Sequence, residues 1–141
     1  MSCGRSGVVF DTSTLVAVLL YPDRVPAQAF RLAALEYEIC TSSDALIELV
    51  EVLKRDKFDR WRSLADRVAF IERYQAIAAH IRDVAPVADC RDSKDDKFLG
   101  LALAARAACI VSSDADLLVL DPYHGIPVLR PLEFLQRFGR N

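Results

Sequence analysis

The chain has 141 residues, of which 52% are hydrophobic and 27% charged, with a formal net charge of −2. This balance fits one globular domain with a sizeable core and excludes a disordered or collagen-like chain. It also excludes a global basic footprint, so a nucleic-acid partner would have to be held by local cationic patches or by metal ions.

The four cysteines, Cys3, Cys40, Cys90 and Cys109, form no CxxC pair, which argues against a zinc site. Cys40 and Cys109 lie in apolar runs and read as small buried hydrophobes, consistent with a reducing compartment. No leader pattern and no apolar run of membrane-spanning length is found, so a cytoplasmic location without a membrane partner is expected.

In chain order, residues 1–6 are expected to be a flexible start and 7–141 a single domain. Val8-Val9-Phe10, bounded by Gly7 and Asp11, reads as a short buried strand. A helix is expected over 14–20, ended by Pro22, and a second over 27–37 with Pro26 as its first residue. A strand at 38–40 precedes a helix over 45–54, for which Thr41, Ser42, Ser43 and Asp44 are candidate caps. Leu46, Leu49, Val50 and Leu53 make one apolar face of that helix, with Glu48 away from its centre and Glu51 beside it.

The charged joint Lys54-Arg55-Asp56-Lys57 leads to a long helical pattern over 64–79, with Val68, Ile71, Gln75 and Ala78 at helical intervals. A further strand is expected at 81–84 or 84–87. Ser93-Lys94-Asp95-Asp96 matches a capping box opening a helix over 97–107. Then come a strand at 108–111, a helical turn at 115–120, an edge strand at 126–129 that contains Pro127, and a last helix over 132–138 opened by Pro131. Strands alternating with helices predict a three-layer α/β/α domain around a parallel sheet of about four to five strands.

In such sheets ligands bind beyond the carboxyl ends of the strands. Two predicted strands end in aspartate there, at Asp11 and, after Ser112-Ser113, at Asp114. Glu48 and Asp96 come from helices able to flank the same edge, with Asp116 behind them. Crowded carboxylates repel unless a cation or proton intervenes. Mg²⁺ or Mn²⁺ accepts such oxygen ligands and suits in-line displacement at phosphate. Asp96 has a second reading as the acid of the Ser93 capping box, and the two roles can coexist. Asp92 and Asp95 read as helix-start and loop charges. His80 and His124 read as surface residues. Lys54, Arg55, Lys57, Arg60 and Arg62 read as a solvated charge run, with contact to phosphates as the second reading, and Phe58 and Trp61 as packing a partner helix ahead of stacking on a base.

Val9-Phe10-Asp11-Thr12-Ser13, Ser43 with Glu48-Leu49-Val50-Glu51, Arg91 to Leu99, Ile110 to Leu118, and the closing Gly125 to Leu129 and Pro131 to Leu135 stand in an order and spacing that resembles the PIN domain, in its toxin-like bacterial branch. The resemblance implies a metal-dependent ribonuclease, often a homodimer, with RNA as substrate and a protein antitoxin as partner. Carried over, the site acids are Asp11, Glu48, Asp96 and Asp114, with the metal held by Asp11, Asp96, Asp114 and Asp116. Thr12 or Ser13 would stand beside the first acid and Ser112 beside the last. Ser93 replaces a frequent proline and Ser112-Ser113 a frequent threonine–glycine pair, and neither change removes an acid.

Two other functions compete. One is a catalytically silent module that binds RNA or an antitoxin. The other is a phosphatase of the haloacid-dehalogenase kind, disfavoured because Ser13 stands where its second aspartate belongs.

Overall fold

A parallel sheet forms the middle layer of the molecule. The computed structural model describes residues 4–139, so Cys3 and the first half of the expected flexible start lie outside the described residues. Arg5 and Ser6 are tied to the fold: the Arg5 guanidinium donates to the Leu35 carbonyl, and the Ser6 carbonyl accepts from Glu38 N.

The strands are β1 (Gly7–Phe10), β2 (Glu38–Thr41), β3 (Ala79–His80), β4 (Cys109–Val111) and β5 (Val128–Leu129). Their order across the sheet is β3-β2-β1-β4-β5, every pairing parallel. The helices are α1 (Thr12–Leu20), α2 (Val25–Glu36), α3 (Ser43–Leu53), α4 (Leu64–Ile77), α5 (Asp96–Ala105), α6 (Ala115–Leu118) and α7 (Pro131–Phe138). Among the described residues no helix is long and apolar enough to cross a membrane.

Successive strand residues point to opposite faces of a sheet, and β1 divides the core accordingly. Val8 and Phe10 pack with apolar residues of α1, α2, α3, α4 and α7, whereas Val9 packs with Phe98, Leu99, Leu101 and Ala102 of α5 and with Leu117 of α6. The domain is therefore the expected three-layer α/β/α sandwich, with five strands. On the first face Phe10 meets Phe30 and Phe134 edge-on, at ring-centroid distances of 5.5 and 6.4 Å. This draws Phe30 into the core. Phe58 is buried, whereas Trp61 is 48% exposed.

Three expectations are not met. The third strand is not at 81–87 but at Ala79–His80. After Ile81 N bonds to the Thr41 carbonyl at 2.9 Å, the chain leaves the sheet. Asp83 has a positive φ of 59°, and Pro86 has no N–H for a ladder. The departing loop lies against α5 at Gly100, where a Cβ would come within 2.8 Å of the Ala85 carbonyl; glycine is what lets the two backbones approach so closely.

The buried stripe of α4 is Arg67, Phe70, Ile71 and Tyr74 rather than the one through Val68 and Gln75. It includes an arginine because that guanidinium is met by acceptors: the carbonyls of Leu53 (2.7 Å), Arg55 (3.2 Å) and Arg62 (3.1 Å), and the Asp59 carboxylate.

The Ser93 capping box does not form. Residues Ser93–Asp95 make a 3-10 turn capped by Asp92, whose side chain accepts from Lys94 N at 3.0 Å.

Candidate metal centre at the carboxyl edge of the sheet

The register of the central strands sets the site. Phe10 stands opposite Val111 in the β1–β4 pairing, so the next residues, Asp11 and Ser112, emerge side by side. The chain turns from β1 to β2 on one side and resumes at β4 on the other. The gap between these two strands is therefore the topological switch point, where open parallel sheets bind ligands.

Asp11 is only 2% exposed. It caps α1, Oδ1 accepting from Thr14 N at 3.0 Å, while Oδ2 accepts from the Ser112 hydroxyl at 2.5 Å. Burial pushes its carboxyl above the ordinary 3.8, and the nearby Asp114 charge adds to the rise, against the lowering effect of the Ser112 and Thr14 hydrogen bonds. Ser112 Oγ also accepts from Asp114 N at 2.9 Å, and Asp114 Oδ1 from Asp116 N at 2.9 Å. One serine thus fixes both Asp11 and the turn that carries Asp114, and Asp114 in turn caps α6.

The tandem Asp95-Asp96 straddles the junction between the 3-10 turn and α5, and the two side chains diverge there. Asp95 turns toward the sheet edge. Its carboxyl is pushed up to about 7 by burial first, then by Asp114, with further contributions from Asp92 and Asp11. Its Oδ2 is buried and has no hydrogen-bond partner. With Asp95 and Asp114 both ionised neither can donate, and a proton or a cation between them is what the pair lacks.

Asp96, the expected site acid, is directed elsewhere. Its Oδ1 accepts from Cys90 N at 2.8 Å and Asp89 N at 3.2 Å, holding the loop before the 3-10 turn. Asp89 also accepts from the Tyr123 hydroxyl at 2.5 Å. The geometry thus brings Asp95 together with Asp114 and Asp11, and ties Oδ1 of Asp96 to the adjoining loop.

Glu48 comes from α3. Its Oε1 accepts from the Thr12 hydroxyl at 2.8 Å and pairs with the Lys97 ammonium at 3.4 Å. Ser13 is exposed on the first turn of α1 and Glu51 is exposed on α3. The Asp116 carbonyl accepts from the Cys90 thiol at 3.4 Å, on the Asp96 side of the cluster. Among the described residues no group of three or more acids, histidines or cysteines is already arranged to hold a metal ion. The orphaned Asp95 oxygen and the buried Asp11 carboxylate nevertheless form a hard, oxygen-only donor set of the kind that Mg²⁺ or Mn²⁺ takes.

Two features were not read from the sequence: Asp95 as the inward-facing acid and Lys97 as the partner of Glu48. No sequence signal separates Asp95 from Asp96. The backbone contact from Thr14 follows from a recognisable signature, an aspartate capping a helix three residues ahead.

Fold and site together define a parallel α/β domain with acids gathered at its switch point. A family model described as PIN domain matches residues 7–116, and the chain belongs to that family. Among solved structures, PAE2754 from Pyrobaculum aerophilum is similar, with a TM-score of 0.63, 11% identity, and coverage of 96% of this chain and 91% of that one. VapBC2 from Rickettsia felis, bound to a DNA fragment from their promoter, aligns with a TM-score of 0.60 and 14% identity, covering 86% of this chain and 96% of that one. At these identities the likeness is one of fold. A comparison with curated protein sequences gave no match.

Proposed function

We propose that this PIN-domain chain is a metal-dependent endoribonuclease that hydrolyses RNA phosphodiester bonds, and that it serves as the toxin of a toxin–antitoxin pair. The observation that carries the reading is Asp95 Oδ2, buried without a partner beside Asp114 and Asp11. A buried unpaired carboxylate oxygen costs stability, and a cation shared with the neighbouring Asp11 and Asp114 carboxylates would offset that cost. On this reading Asp11, Asp95 and Asp114 hold the ion, and Glu48 stands at the margin toward substrate.

Mg²⁺ or Mn²⁺ bound there supplies activation of water and offsets the charge that builds on phosphate during displacement. The chain supplies the rest. Ser112 and Thr14 N–H lock both oxygens of Asp11. Thr12 and Lys97 orient Glu48. Asp96 pins the loop that precedes Asp95 through Asp89 and Cys90.

The toxin assignment, a protein antitoxin and a homodimer follow from the family resemblance of the sequence. The fold likeness to VapBC2, whose structure contains DNA from their promoter, is compatible with them.

The test is cleavage by purified protein of several labelled RNAs, in Mn²⁺ and in EDTA. Cleavage in Mn²⁺ that vanishes in EDTA and in Asp11→Asn is expected. Cleavage of equal rate in Asp11→Asn would remove the assignment, and a folded wild-type protein that cuts none of the RNAs would favour a binding module.

A further inference from the structure

The acids at the sheet edge repel a polyanion, and the chain as a whole carries a net charge of −2. If the site acts on RNA, the affinity has to come from cations placed close by. One concave surface adjoining the acids carries them. A groove of about 360 Å³ runs along α3 from Asp44 to Arg55, with the carboxylates of Asp44, Glu48 and Glu51 on the α3 wall, Arg55 at its far end, and Lys94 and Lys97 on the opposite wall. Its size is in the range of ligand clefts, roughly 300–1,000 Å³. Glu48 belongs to both the groove and the site, so the two are continuous.

We propose that this groove is the track of the RNA backbone, with Lys97, Lys94 and Arg55 as its phosphate-binding residues. The inference rests on the ribonuclease reading and adds the surface that positions the substrate.

Three observations carry it. Lys97 is held at the mouth of the groove by Glu48, 3.4 Å away, and by the Lys94 carbonyl, which aims its ammonium at the boundary between acids and groove. Among the described residues, Lys94 and Arg55 have no ion-pair partner within 4.0 Å, so their charges are available to an incoming anion. The backbone at Arg55 is fixed from beneath: its carbonyl accepts from the buried Arg67 guanidinium at 3.2 Å.

From Glu48 to Arg55 the groove extends about 10 Å at the helical rise per residue. Asp44, Glu48 and Glu51 on the α3 wall repel phosphate, which confines the backbone to the side of the groove that carries Lys94, Lys97 and Arg55.

The experiment measures binding of a fluorescein-labelled, mixed-sequence single-stranded oligoribonucleotide to Asp11→Asn protein over a series of KCl concentrations. The same measurement is made with Arg55→Gln/Lys94→Gln added. Both added positions are exposed, so the fold is expected to survive, and circular dichroism checks it. Affinity is expected to fall about tenfold, and the slope of log affinity against log salt to decrease by about 1.4, roughly 0.7 for each phosphate of a single strand that is no longer neutralised. In the cleavage-competent background the same pair of changes raises KM and leaves kcat within about twofold. A Lys97→Gln variant lowers both affinity and kcat. Removal of two exposed charges elsewhere, Arg73→Gln/Arg137→Gln, changes affinity less than about twofold.

Unchanged affinity and salt slope in Arg55→Gln/Lys94→Gln, with a parent that binds and cleaves RNA, overturns the proposal while leaving the ribonuclease reading intact. The same holds if these changes abolish binding of an acidic protein segment but not of RNA. A parent that neither binds nor cleaves RNA overturns the reading itself, and the inference with it.

Discussion

The Ser112 hydroxyl donates to Asp11 Oδ2 at 2.5 Å across the two central strands, and Ser112 Oγ in turn accepts from Asp114 N at 2.9 Å. Residues 101 positions apart are thereby locked into one unit, and the spacing of the candidate metal ligands depends on it. Ser112→Ala leaves a buried carboxylate oxygen and a backbone N–H without their partner. The cost expected is about 2 kcal/mol of stability, read from urea denaturation. RNA cleavage at fixed Mn²⁺ should fall about tenfold, as expected when one positioning hydrogen bond of roughly 1.4 kcal/mol is removed.

The pH dependence of stability should carry the signature of Asp95. Its carboxyl is raised from 3.8 to about 7 by burial first and by Asp114 next, so between those values the folded chain binds more protons than the unfolded one. Stability of the metal-free protein therefore falls as pH rises through that window. Asp11, also raised by burial, acts in the same direction. In EDTA, Asp95→Asn should become progressively more stable than wild type as pH approaches about 7, and Mn²⁺ should remove most of the difference by stabilising only the wild type. Thermal unfolding of both proteins across pH, with and without Mn²⁺, reads this directly. A difference that does not change with pH would contradict it.

Asp96 should behave as a scaffold. Asp96→Ala withdraws the acceptor of Cys90 N and Asp89 N. A loss of about 1 kcal/mol is expected, since the site is partly exposed to water. The Mn²⁺-induced rise in Tm should persist in this variant and be lost in Asp95→Asn, and differential scanning fluorimetry separates the two.

Arg67 should matter more than its place in a charged region suggests. It is 1% exposed and serves three backbone carbonyls and Asp59. Arg67→Met keeps much of the volume and removes every donor, at an expected cost of about 3 kcal/mol in urea denaturation.

Alternation of short apolar runs with helical patterns was enough to read the parallel sheet, its layers and the position of Asp11 and Asp114, because strand ends and helix caps are local chemistry. The β3 strand was misplaced because what ends it, the turn at Asp83 and the contact of Ala85 with Gly100, depends on where α5 lies. Arg67 was missed because its burial depends on carbonyls at the end of α3 (Leu53, Arg55) and before α4 (Arg62), whose approach no helical periodicity reveals. The Asp95–Asp96 choice was not legible either: both acids suit a helix start, and only the 3-10 turn that Asp92 caps decides which one faces the sheet.

Anomalous diffraction from crystals soaked in Mn²⁺ tests the central claim most directly. The predicted result is a peak among the carboxylates of Asp11, Asp95 and Asp114, absent in Asp11→Asn. A peak ligated by Asp96 instead of Asp95, or no peak at this edge in a protein that cleaves RNA, would contradict it.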